Sequence, residues 1–266
     1  MQVLALDIGN SAVKGALVGP GDAVAHAFRV AHDAPGADAA LRACLAALPR
    51  ADAVAIASVV PARTDAVARA AAAATGRTPL AVHAGRRWPF TIGYATPHTL
   101  GADRLAAVCG ALDLDSVEDG RASPLVVVDA GTAVTVEAVG LSASGGAVYL
   151  GGGIAPGPVL MAAALARGTA QLPALDLAPR LPGAVGRSTA GAIEAGVLHV
   201  FAHGVAGLVG ATQHALAPDA PGRVAIVTTG GWAPMLADAF PAFADVRPHL
   251  VLVGIARAAR LAGAEP

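Results

Sequence analysis

Val3-Leu4-Ala5-Leu6-Asp7-Ile8-Gly9-Asn10-Ser11 is an apolar, strand-forming run that ends in an aspartate and a small polar turn, after which Ala12 to Val18 resumes as a strand. Gly19-Pro20-Gly21-Asp22 is a further turn, and Ala23 to Val30 follows as a third strand candidate. The same order recurs at mid-chain. Leu125-Val126-Val127-Val128 ends in Asp129, Gly131-Thr132 follows, and Val134 to Val139 is the next strand; a turn at Ser142 to Gly146 leads into Ala147 to Leu150. A strand, Asp, x, Gly, Asn or Thr, a small residue and a second strand therefore occur twice. The repeat predicts two copies of one α/β fold, each with an Asp at the end of its first strand.

Pro35 to Leu48 and Ala62 to Ala74 read as helices on apolar periodicity and alanine propensity, with Ala53 to Val60 as a buried strand between them. Asp113, Asp115, Glu118, Asp119 and Arg121 make a polar joint, which sets the expected domains at residues 1–118 and 119–266.

With 55% hydrophobic residues and a net charge of -1, the 266-residue chain is no disordered segment. It carries no Lys/Arg cluster to neutralise a phosphate backbone, so no nucleic-acid partner is expected. Cys44 and Cys109 match no ligand spacing and read as reduced thiols. Two stretches lack charged residues. Ala138 to Ala166 is broken by glycines and prolines, and Ala195 to Pro218 by His199, His203, Gln213 and His214, so both read as buried segments rather than membrane spans. Asp7 falls where a signal peptide would be apolar, and a cytoplasmic protein is expected.

Several segments carry chemistry. In the turn after Asp7, glycine and small polar residues expose backbone N–H groups to phosphate oxygens, Asp7 suits a divalent ion, and Lys14, the chain's one lysine, adds a point charge. Leu100-Gly101-Ala102-Asp103-Arg104 opens a helix, where Asp103 is either a cap or a base; the adjacent Arg104 allows the pair to orient a hydroxyl and grip a carboxylate. Trp88, Phe90 and Tyr94 gather just before it, as a substrate wall or as core. Gly151-Gly152-Gly153-Ile154-Ala155-Pro156-Gly157 reads as a flexible loop that wraps a small molecule or turns a corner. Thr228-Thr229-Gly230-Gly231 leaves room for a nucleobase or ribose, and His199 with His203 lacks a third metal ligand.

Taken in order, these segments resemble the type III pantothenate kinases of the actin-like ATPase and sugar-kinase superfamily. The resemblance also rests on Ala57-Ser58-Val59-Val60-Pro61, Gly168-Thr169-Ala170-Gln171-Leu172-Pro173 and Gly186-Arg187-Ser188-Thr189. It implies two RNase H-like domains, each a mixed β-sheet flanked by helices, with a cleft between them. It implies transfer of the ATP γ-phosphoryl group to the 4′-hydroxyl of pantothenate, with potassium or ammonium as monovalent cation, Mg2+ as divalent metal, and a homodimer. By position it makes Asp103 the general base. Asp7, Ile8, Gly9, Asn10, Ser11, Ala12, Val13, Lys14 and Thr132 become ATP contacts. Tyr94, Gly101, Ala102, Arg104 and Thr189 become pantothenate contacts, and Asp129 the monovalent-cation ligand. The chain departs from the family pattern before Tyr94, where the usual Asn is missing. The rival readings are a superfamily kinase or phosphatase with another small substrate, and a non-catalytic transcriptional accessory regulator that retains the fold.

Overall fold

The structure is a computed structural model in which residues 1–263 are described. The chain divides into two compact units, Met1–Glu118 with the chain from His249 onward, and Asp119–Pro248.

In the first unit β1 (Val3–Ile8), β2 (Ala12–Val18) and β3 (Val24–Ala31) form an antiparallel meander; β4 (Ala53–Ser58) pairs in parallel with β1, and β5 (Leu80–Ala81) with β4. The sheet order β3-β2-β1-β4-β5 is therefore mixed. α1 (Ala37–Ala46) and α2 (Pro61–Thr75) cover one face, where Leu41, Leu45 and Val67 pack on Leu4, Leu6 and Ile8. Proline at the first position of α2 and Gly76 at φ +67 after its end set that helix's limits. Strand alternation turns Val3, Ala5 and Asp7 to the opposite face. β6 (Thr91–Ile92), α3 (Ala102–Ala111) and α4 (Leu114–Glu118) complete this part of the chain.

In the second unit β7 (Leu125–Ala130), β8 (Ala133–Leu141) and β9 (Ala147–Pro156) are antiparallel, and β10 (Ala225–Thr229) joins β7 in parallel. This sheet too is mixed. α5 (Pro158–Gly168) packs on α6 (Thr189–Leu216), and α6 sets Leu198, Phe201, Val205 and Val209 against Val126, Val128, Val134 and Val136. α7 (Ala233–Ala239) adds Met235 and Leu236 to the same core. α6 is long and apolar enough to cross a bilayer by length and composition, but its buried face is the core of this sheet. Asp129, like Asp7, lies on the strand face away from that core.

Two expectations need correction. The second domain does not run to residue 266, because α8 (Leu250–Gly263) returns to the first unit and packs on α3 and β1. A side chain at Gly254 would overlap the Ala106 carbonyl, and one at Gly110 the Leu250 carbonyl, so the two glycines let the helix backbones touch. The Gly151 to Pro156 segment is no loop: it continues β9, with Glu137 opposite Gly152 and Val136 opposite Gly153. Gly152 is at φ +157, and a side chain there would collide with the Val136 carbonyl. Glycine lets the strand approach its neighbour instead of freeing it.

Candidate active site

Asp7 ends β1 nearly buried, and its register partner on β2 is Lys14, whose Nζ lies 3.7 Å from Asp7 Oδ2. The turn between them is closed by the Gly9 N–H, which donates to the Ala12 carbonyl at 3.1 Å. Asn10 stands exposed at its tip.

Two further segments of the first unit gather at the carboxyl ends of β1 and β4, the end at which open α/β sheets bind ligands. The Val59 N–H donates to the Ile8 carbonyl at 3.1 Å, and Ser58 Oγ accepts from the Val60 N–H at 3.2 Å and pairs with Thr64 Oγ1 at 2.7 Å. Ser58 to Pro61 is thus a strand-to-helix turn that ties β4 to the end of β1. Gly101 caps α3, and Asp103 lies in its first turn, half-buried, with Oδ1 accepting from the Arg104 N–H at 2.9 Å. A Cβ on Gly101 would overlap Asp103 Oδ1 and sit 3.6 Å from Val59 Cγ1, so glycine leaves the space the carboxylate occupies. The Arg104 side chain is buried. Trp88 and Phe90 are buried and stack at 5.6 Å, which makes them core; Tyr94 is half-buried.

The second unit holds its own arrangement. Asp129 ends β7 with Thr135 opposite it on β8 and Thr229 beside it on β10. The Gly131 N–H donates to the Ala133 carbonyl at 3.1 Å, and the Gly157 N–H to the Thr132 carbonyl at 3.0 Å. Gly230, at φ +94, lies so close that a Cβ would overlap the Ala130 carbonyl and approach Asp129 Oδ1 to 2.6 Å. The Trp232 N–H donates to the same Ala130 carbonyl at 3.0 Å. Carboxylate and carbonyl oxygens are the donors that suit potassium, ammonium or Mg2+, so the residues at Asp129 fit a hard cation. Thr189 is the first residue of α6, whose cap Ser188 Oγ accepts from the Gly191 N–H at 3.1 Å. It stands at an apolar cavity of about 750 Å³ with Leu160, Met161, Leu172, Ile193 and Val197.

Two features had not been singled out from the sequence. Glu137 is fully buried and accepts a hydrogen bond from the Tyr149 hydroxyl at 2.7 Å; the only signal was an acid inside an apolar strand. His32 lies 2.7 Å from the Gly9 carbonyl through Nε2, a contact set by strand register with no local signature. His199 and His203 stack at 5.9 Å, and a His199 ring nitrogen lies 2.9 Å from the Pro182 carbonyl. Among the described residues no group of three or more His, Cys, Asp or Glu side chains is placed to hold a metal.

A family model described as type III pantothenate kinase matches residues 3–211. The chain is 37% identical over 266 residues to a type III pantothenate kinase from Halorhodospira halophila, with 95% of each chain covered. It is 40% identical over 164 residues to type III pantothenate kinase 1 from Symbiobacterium thermophilum, covering 62% of this chain and 58% of that one. A solved structure of a Baf family protein from Campylobacter jejuni matches with a TM-score of 0.54 at 19% identity, covering 98% of both chains, which bears on the fold alone. The family match, across a chain whose two sheets each end their first strand in an Asp-x-Gly turn, places this protein in the type III pantothenate kinase family.

Proposed function

We propose that this chain transfers the γ-phosphoryl group of ATP to the 4′-hydroxyl of pantothenate, the first step of coenzyme A biosynthesis, and does so in the cytoplasm. The observation that carries the reading to this chain's own residues is Asp103. Its carboxylate is held in the first turn of α3 by a backbone N–H, close to the carboxyl ends of β1 and β4.

Phosphoryl transfer requires positioning and charge neutralisation more than covalent help from the protein. Bound ATP supplies the phosphoryl group, while Mg2+ and a monovalent cation supply positive charge beside it. Asp103 accepts the proton of the attacking hydroxyl as its oxygen bonds to phosphorus and ADP leaves. The N–H groups of the Asp7 to Lys14 turn and the Lys14 ammonium hold phosphate oxygens, with Thr132 as a further ATP contact. Asp129 takes the monovalent cation, a role its oxygen-rich surroundings support. Gly101, Ala102, Arg104, Tyr94 and Thr189 orient pantothenate. The active form is a homodimer, a reading supported by the exposed apolar residues Val159 on α5 and Val200 on α6.

The test is ATP-dependent product formation from pantothenate, with and without potassium, against glucose, glycerol and polyphosphate. Turnover of pantothenate alone, lost in Asp103→Asn while ATP still binds, is the expected result. Turnover of another acceptor, or full activity in Asp103→Asn, would overturn the proposal.

A further inference from the structure

We propose that His32 is a positioning residue for the nucleotide: its imidazole holds the Gly9–Ser11 turn in the shape that receives the ATP phosphates. The inference rests on the reading of the Asp7 to Lys14 segment as the ATP site. His32 follows the last residue of β3, whose register partner is Ala12 at the start of β2. That position brings two groups of one residue to the turn. The His32 backbone N–H donates to the Ser11 carbonyl at 3.0 Å, and ring Nε2 lies 2.7 Å from the Gly9 carbonyl.

Direction follows from the peptide geometry. Among the described residues every peptide bond is trans, so each N–H points opposite to the carbonyl of the residue before it. With the Gly9 and Ser11 carbonyls turned towards His32, the Asn10 and Ala12 N–H groups point the other way. A row of N–H groups facing away from the sheet edge is what an anionic oxygen needs. Glycine at position 9 would otherwise let the turn visit many conformations, and binding would have to select among them.

Among the described residues the ring has no second polar partner. A carbonyl oxygen can only accept, so Nε2 carries a hydrogen and donates it to Gly9. Nδ1 is buried without a hydrogen-bond partner. His32 is half-buried, but a buried and unsatisfied Nδ1 is a cost to folding, and the bond to Gly9 is the ring's polar return.

Steady-state kinetics on the full chain test the idea, with the melting temperature recorded for each variant. His32→Phe, which keeps a ring but no donor, is expected to raise KM for ATP about tenfold and leave KM for pantothenate within about twofold. His32→Gln retains a terminal N–H donor and should recover ATP binding to within about threefold of wild type. Should His32→Phe not fold, His32→Asn, too short to reach Gly9, carries the same expectation. Asp7→Asn separates the two levels of the argument. If it raises KM for ATP while the His32 variants leave that constant alone, or raise both constants equally, the role of His32 is refuted and the ATP site stands. If Asp7→Asn also leaves KM for ATP unchanged, the ATP site itself falls, and the proposal with it.

Discussion

Lys14 stands directly opposite Asp7 on the β1–β2 ladder, with its ammonium 3.7 Å from the carboxylate. The mid-chain copy of the turn is one residue shorter and sets Thr135 opposite Asp129. The repeat therefore places a cation across the ladder from one aspartate and a hydroxyl across from the other.

Lys14 is half exposed, so its pairing with Asp7 contributes little to folding. Its charge is free to turn to a phosphate. Lys14→Ala should raise KM for ATP about tenfold, leave KM for pantothenate within about twofold, and leave the melting temperature nearly unchanged. Initial rates with each substrate varied in turn check this, and equal changes in both constants would contradict it.

Gly101→Ala meets no backbone obstacle, since Gly101 lies at φ -60, but the new methyl overlaps Asp103 Oδ1. The carboxylate must rotate away from its place above the cap. kcat is expected to fall by about tenfold to a hundredfold while the fold is retained. Unchanged kcat with an unchanged melting curve would show that Asp103 does not act from this position.

α8 is held by more than its apolar face. Arg257 donates to Asp22 Oδ2 at 2.8 Å and to the Cys109 and Leu112 carbonyls at 2.7 Å each; Arg260 donates to Asp22 Oδ1 at 2.8 Å and to the Val18 and Gly19 carbonyls. Arg257→Ala would leave two carbonyls and part of the Asp22 charge unsatisfied in a largely buried place. A loss of about 2–4 kcal/mol is expected, read as a fall of roughly 5–15 °C in melting temperature. Asp22→Asn should also destabilise, because its amide keeps one accepting oxygen and turns an NH2 donor towards the other guanidinium.

Burial pushes the Cys109 thiol from 9.0 up to about 12, opposed by the nearby Arg257 charge. The folded state therefore retains a proton that the unfolded chain loses above pH 9. The associated stability is intact below pH 9 and is lost as pH rises towards 12, with a slope of up to about 1.4 kcal/mol per pH unit. Urea melts from pH 8 to 10.5 should fall more steeply for the wild type than for Cys109→Ala. At pH 8 a thiol reagent should label Cys44 and reach Cys109 only on unfolding.

The meander, the Asp-x-Gly turns and the start of α3 were legible because each is written in consecutive residues. Apolar alternation, a turn residue and a cap act within about one turn of chain. The triple glycine misled for the same reason: three small residues in a row signal looseness locally, whereas Gly152 is needed for close approach to Val136, sixteen positions away. Trp88 and Phe90 were readable as wall or as core from their spacing, and only their stacking decides for core.

The sequence by itself determined two mixed α/β sheets, each ending its first strand in an Asp-x-Gly turn, because strand and turn preferences are local. Tertiary structure alone decided that α8 belongs to the first unit, through Gly110 against Leu250 and Arg257 against Asp22, 235 residues apart. It alone brought His32 onto Gly9, 23 residues back along the chain. Such contacts depend on which surfaces meet after the strands have paired, and no short-range preference records that.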